Sequence, residues 1–150
     1  MNIVLFEPEI PPNTGNIARL CAATGVRLHL VGRLGFRLDD RYLRRAGLDY
    51  WPHVQWVHYP ALEQVYREAA EGARFFYLSK KGAIPYTRPA YRWGDYLVFG
   101  GETRGLPQEL LQQNAERLLT IPMFGPVRSL NLSTAAGIVL YEALRQIKAF

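Results

Sequence analysis

Three short stretches hold the side chains most able to do chemistry. The first, Asn13-Thr14-Gly15-Asn16-Ile17-Ala18-Arg19, brings two amides, a hydroxyl and a guanidinium to the opening turns of a helix. The second, Gly100-Gly101-Glu102-Thr103-Arg104-Gly105-Leu106, directly follows an apolar run. The third, Ile121–Gly137 (IPMFGPVRSLNLSTAAG), breaks at Pro122, turns through Gly125-Pro126 and ends in Ser129, Asn131, Ser133 and Thr134. Glycine allows backbone to approach a ligand closely, and a helix N-terminus favours an anion. Each stretch also has a plain structural reading: a helix cap, a tight turn, a surface arginine. A cap needs one Ser, Thr or Asn, whereas the third stretch offers four, so it reads as a binding loop. The glycine pattern is neither Gly-Lys-Ser/Thr nor G-x-G-x-x-G, which argues against an ordinary nucleotide or dinucleotide loop.

These stretches need a scaffold, and the remaining chain supplies one by alternating strands with helices. Asn2–Phe6 is a short buried strand, followed by a proline-stiffened loop, Glu7–Asn13, that should not enter a helix. Thr14 is then expected to cap a helix whose apolar face is Ile17, Leu20 and Cys21, with Thr24, ending at Gly25. Strands are expected at Arg27–Val31, Val54–Tyr59, Arg74–Ser79, Tyr96–Phe99 and Leu118–Ile121. Helices are expected at Leu38–Ala46, from Leu62 to a stop at Gly72 with Val65, Tyr66 and Ala69 on its face, and from Pro107 to about Gln113. A last helix carries Ala136, Val139, Leu140, Ala143, Leu144 and Ile147 on one face. Lys80–Gly94, rich in Pro, Gly, Lys and Tyr, reads as a loop. The alternation predicts an α/β fold, a mainly parallel sheet with helices on both faces, in a single domain over residues 1–150.

Composition narrows the function classes. The net charge is +5, and arginine dominates it, since only Lys80, Lys81 and Lys148 are lysine. Arg33, Arg37, Arg41, Arg44 and Arg45 stand close to Phe36, Tyr42, Tyr50 and Trp51. Basic groups interleaved with aromatics suit phosphates and unstacked bases of RNA. The sole cysteine, Cys21, forbids an internal disulfide and sits on an apolar helix face. His29, His53 and His58 are scattered, so no metal-ligand spacing exists and no metal is expected. No apolar run reaches membrane-spanning length and no secretory pattern opens the chain, so a cytoplasmic protein is expected.

Taken together and in order, Asn13-x-Gly15-Asn16-x-x-Arg19, Gly100-x-Glu102-x-x-Gly105-Leu106 and Ser129-Leu130-Asn131-Leu132-Ser133 resemble the three signature motifs of the SPOUT methyltransferases. The match spans essentially the whole chain. Within that superfamily FEPEIPPNTGNIARLCAATG, RRAGLDYW and SLNLSTAAGIVLYEALRQ are similar to the small tRNA 2'-O-methyltransferases that act on the wobble nucleotide.

The resemblance implies a C-terminal deep trefoil knot, S-adenosylmethionine bound there in a bent form, and a homodimer with sites at the subunit interface. Carried over by position, cofactor contacts fall on Leu78, Gly100, Glu102, Ile121, Met123, Ser129 and Leu130. Glu102 and Asn131 would support the loops, and Asn13, Arg19 and Asn131 form the implied catalytic group. Arg19, Arg41, Arg44, Arg45, Lys80 and Lys81 are the implied contacts to RNA, an anticodon stem-loop with its target at position 34. Relatives carry proline where Gly101 stands, an exchange expected to be tolerated. Neither His nor Asp stands in the motifs as a general base. A guanidinium normally stays protonated, so Arg19 is assigned to positioning the ribose or phosphate, and a role as base stays open. Methylation of another tRNA position or of ribosomal RNA, and a non-catalytic RNA-binding relative, are the alternatives.

Overall fold

The computed structural model describes residues 1–39, 41, 45, 50–148 and 150. Its strands are β1 (Asn2–Phe6), β2 (Arg27–Val31), β3 (Trp56–Tyr59), β4 (Phe75–Leu78), β5 (Ile84–Pro85), β6 (Tyr96–Gly100) and β7 (Leu118–Thr120). Its helices are α1 (Pro11–Thr24), α2 (Leu62–Glu68), α3 (Gln108–Gln113) and α4 (Leu132–Lys148). The expected helix over Leu38–Ala46 falls largely outside the described residues.

The strands form one sheet in the order β3-β2-β1-β6-β4-β7-β5, and every pair is parallel. Strand side chains alternate between faces, and β1 shows how that builds two cores. Ile3 and Leu5 join Leu28, Leu30, Leu97 and Phe99 beneath α1 and α4, which add Ile17, Cys21, Val139 and Leu140. Val4 points the other way, with Val31, Tyr77 and Val98, against Leu62 and Val65 of α2 and Leu111 of α3. Strands buried on both faces read as unbroken apolar runs, which is why NIVLF and YLVF were legible.

Several boundaries differ from expectation: β3 starts at Trp56 rather than Val54, and α2 ends at Glu68, short of Gly72. Helix α1 starts at Pro11, not Thr14, because proline at the first helical positions removes only an N–H that had no helical acceptor. Thr14 lies inside the helix and is fully buried. Within the expected loop Lys80–Gly94, Ile84 and Pro85 pair with Leu119 and Thr120 of β7, a strand too short for a periodic signal. Helix α4 starts at Leu132, four residues before Ala136, so Ser133 and Thr134 occupy its first turn.

Candidate functional site

The ends of β1, β6 and β7 and the start of α4 bring the three stretches together at the carboxyl edge of the sheet, where open parallel sheets bind ligands. Asn131 caps α4: its Oδ1 accepts from the Ser133 N–H at 2.9 Å, the Thr134 N–H at 3.3 Å and the Ser133 hydroxyl at 2.6 Å. With that oxygen engaged, the Asn131 Nδ2 donates to Asn13 Oδ1 at 2.9 Å. Asn13 Nδ2 in turn donates to Glu102 Oε1 at 3.1 Å. The Glu102 carboxylate also accepts from the backbone N–H of Glu9 at 2.7 Å and of Ile10 at 3.1 Å. One directed relay, Asn131 to Asn13 to Glu102, therefore ties all three motifs, and each amide has only one orientation that satisfies it.

Local backbone geometry holds Glu102 there. Glu7 takes a left-handed conformation, φ 49°, uncommon for a residue with a side chain, and the chain after it runs under the Gly100–Gly105 loop. That loop closes on itself through the Gly105 N–H to Gly101 carbonyl bond of 2.9 Å, with Gly105 left-handed at φ 66°. A Cβ on Gly100 would lie 2.1 Å from the Gly105 carbonyl carbon and 2.3 Å from the Leu106 nitrogen. Gly100 thus lets protein backbone, rather than ligand, come close. At Gly101 a Cβ would lie 2.4 Å from the Glu7 carbonyl oxygen, so this backbone leaves no room there for a side chain.

Beside the relay opens a cavity of about 530 Å³, within the size range of small-molecule and cofactor sites. All seven residues expected to contact cofactor line it: Leu78, Gly100, Glu102, Ile121, Met123, Ser129 and Leu130. Its walls combine apolar side chains with backbone of three loops, a lining suited to a nucleoside with an aliphatic tail. Lys80 and Lys81 also line it, the Lys81 ammonium donating to Gln108 Oε1 at 2.8 Å. Sequence reasoning missed Thr103, Arg104 and Arg128 on the same walls. Their signal was present, a cation inside each loop motif, but it was read as spacing between glycines and serines.

The other expected residues lie elsewhere. Asn13 and Asn131 form the relay and do not line the cavity. Arg19 is exposed on α1, outside the cavity, with its guanidinium carbon 4.6 Å from the centre of the Tyr50 ring. Arg41 and Arg45 are exposed and do not line the cavity, and Arg44 lies outside the described residues. Arg37 is engaged by Asp39 through contacts of 3.0 and 3.2 Å. Among the described residues no cluster of His, Cys, Asp and Glu could hold a metal ion, and no helix is long and apolar enough to cross a membrane.

A parallel α/β sheet with a loop-built cavity at its carboxyl edge, tied together by two amides and one carboxylate, defines a ligand-binding α/β protein. Residues 1–141 match the SpoU rRNA Methylase family, and the chain belongs to that family. It is 50% identical over 148 residues to the tRNA (cytidine(34)-2'-O)-methyltransferase of Escherichia coli, covering 98% of this chain and 94% of that one. A solved structure described as giving insights into the 2-OH methylation of C/U34 on tRNA superposes with a TM-score of 0.95 at 48% identity, covering 99% and 97% of the two chains. The SpoU methyltransferase AviRb of Streptomyces viridochromogenes, solved with the cofactor AdoMet, gives a TM-score of 0.85 at 25% identity over 97% of this chain and 60% of that one.

Proposed function

We propose that this chain is an S-adenosylmethionine-dependent tRNA ribose 2'-O-methyltransferase acting on the wobble nucleotide, position 34. The observation that carries the reading is that the Asn131–Asn13–Glu102 relay joins all three motifs beside one cavity, which the second and third motifs line. The near-half identity to a relative named for cytidine 34 supports the target. When bound, the cofactor supplies a methyl group already activated by its sulfonium. The residues here have to hold its adenosine, align the ribose oxygen in line and stabilise the groups around it. Leu78, Ile121, Met123 and Leu130 would enclose the adenosine, with backbone of the Gly100 and Ser129 loops supplying hydrogen bonds. Glu102, Asn13 and Asn131 fix the loops. Glu102 already accepts three hydrogen bonds from protein donors, so it is read as a positioning group rather than a base.

Two further features belong to the proposal. Strand β7 is bonded to both β4 and β5, although both precede it in the chain, and Gly82 of their connection packs its backbone on Leu119. This arrangement supports a C-terminal trefoil knot in a single domain. Arg19 is exposed and absent from its own cavity, which supports a homodimer in which α1 of a second copy delivers it to the ribose; a cytoplasmic location belongs to the same proposal. Arg41, Arg44 and Arg45 would then grip the anticodon stem through phosphates, with Lys80 and Lys81 nearer the target.

Incubating purified protein with labelled cofactor and bulk tRNA, then mapping the methylated ribose, tests the target. Label at position 34 is expected, whereas label at 18 or 32, or only in ribosomal RNA, overturns it. Arg19→Ala should lower turnover about 100-fold with cofactor affinity kept. A fully active 17.1 kDa species in light scattering contradicts the dimer.

A further inference from the structure

The cavity carries more positive charge than its proposed cofactor can use. Lys80, Lys81, Arg104 and Arg128 all line it, against one carboxylate, Glu102, which is turned toward the Glu9 and Ile10 amides and Asn13. Lys81 has Gln108 as an acceptor. Lys80, Arg104 and Arg128 are exposed and have no hydrogen-bond or ion-pair partner among the described residues. S-adenosylmethionine is itself a net cation, its sulfonium and ammonium outweighing one carboxylate. Three unmatched cations therefore oppose it, and they oppose its demethylated product less, because methyl transfer leaves an uncharged thioether. A guanidinium fork is built for phosphate oxygens.

We propose that Arg104, Arg128 and Lys80 form a phosphate cradle on the wall of the cofactor cavity, holding RNA backbone beside the reacting nucleotide and making cofactor and RNA bind cooperatively. The proposal rests on the methyltransferase reading above. RNA phosphates neutralise the cations that oppose the sulfonium, and linkage requires the cofactor to strengthen RNA binding by the same factor. The cradle thereby also favours exchange of product for fresh cofactor on the RNA-bound enzyme.

Calorimetry on the full chain tests this, using the cofactor and its demethylated product, each with and without RNA. The RNAs are an anticodon stem-loop with a 2'-deoxy nucleotide at position 34, which cannot turn over, and bulk tRNA. Without RNA at low salt the product should bind about tenfold more tightly than the cofactor, and RNA should strengthen cofactor binding by about tenfold. In the Arg104→Gln, Arg128→Gln double variant both ratios should shrink below about threefold, and the salt dependence of RNA binding should lose about two phosphate contacts. Both positions are exposed, so the thermal midpoint should hold. Coupling to bulk tRNA but not to the stem-loop keeps the cradle and overturns position 34. Absence of cofactor binding under every condition overturns the methyltransferase reading and the cradle with it. Normal cofactor binding with no RNA coupling, or coupling unchanged in the double variant, overturns the cradle alone.

Discussion

At the amino ends of β4 and β6, Asp95 accepts from Arg74 through both carboxylate oxygens, at 2.9 and 2.6 Å, and from the Arg92 N–H at 2.8 Å. Arg74 spends a further donor on the Ala90 carbonyl, and the Phe75 and Tyr96 rings stack 4.3 Å apart beside the pair. At the carboxyl ends, Glu102 is equally well matched by the Glu9, Ile10 and Asn13 donors, yet beside it lie a cavity and three cations with no partner among the described residues. Asp95 is buried and Glu102 only half-buried, yet each carboxylate is fully hydrogen-bonded, so pairing of the charge does not distinguish the functional one. What distinguishes it is that its surplus polar groups face open space. A protein can leave exposed cations unmatched at little cost to stability, and such groups then remain available to an anionic ligand.

The sharpest way to break the contrast is at Gly100. Gly100→Val forces a branched side chain onto the Gly105 and Leu106 backbone, which cannot yield as a flexible side chain would. The motif loop must open, and cofactor affinity should fall by more than about 1000-fold, over about 4 kcal/mol. Isothermal titration measures it, and affinity within tenfold of the parent would show that the loop's closure is dispensable. At the opposite edge, Asp95→Ala removes the buried member of the pair, strips half-buried Arg74 of its partner and should cost about 3 kcal/mol of folding stability. Cofactor affinity, measured well below the lowered melting point, should stay within twofold. A matching loss of affinity would mean that the two edges are coupled through the sheet.

Acid should also act on the amino side. His29 is buried on β2, with Nε2 3.1 Å from Asn2 Oδ1. Asn2 Nδ2 donates to the Gly94 carbonyl, so its oxygen accepts and the His29 Nε2 carries the proton, while Nδ1 is buried without a partner. Burial, with the nearby Arg27 charge, pushes the imidazole down to about 4 from the usual 6.5, and Glu68 opposes the shift. A folded value below the unfolded one means that the unfolded chain binds the proton more readily. The stability conferred by neutral His29 is therefore complete above about pH 6.5 and is lost as pH falls toward 4. At pH 5 the loss is about 2 kcal/mol. Urea midpoints at pH 7 and pH 5 should separate accordingly, and His29→Gln should narrow the gap.

Much of this contrast could be read in the chain before any coordinates. The apolar runs of β1 and β6, the sheet class and seven residues of the cavity wall were legible, because burial leaves a local pattern and the motifs carry their spacing. Helix α1 began early because the prolines that signal a break also suit a first turn. The relay was not legible as a relay: Asn13 meets Glu102 across 89 residues and Asn131 across 118, separations at which periodicity carries no information. Arg104 and Arg128 stand in the motif loops for any reader of the sequence, but that their charges are unmatched shows only once their surroundings are known.

The smallest expected effect isolates the relay from the helix cap it shares. Asn131→Asp keeps an oxygen for the Ser133 and Thr134 amides, and a negative charge at the first turn of α4 is favourable to the helix. Cap strength should therefore be unchanged or slightly raised. Toward Asn13, however, the carboxylate offers no donor where Nδ2 stood 2.9 Å from Oδ1. Asn13 must flip its amide to donate to position 131, and doing so turns its oxygen toward Glu102, which then loses one of three donors. The loss should be about 1 kcal/mol, felt in the placing of the loops and offset in global stability by the cap. Turnover and cofactor affinity should drop several-fold while the melting temperature moves by no more than a degree or two. If the Asn131→Asp protein matches the parent in both binding and turnover, the chain of amides is only a cap, and the carboxyl edge owes its geometry to the glycine loop alone.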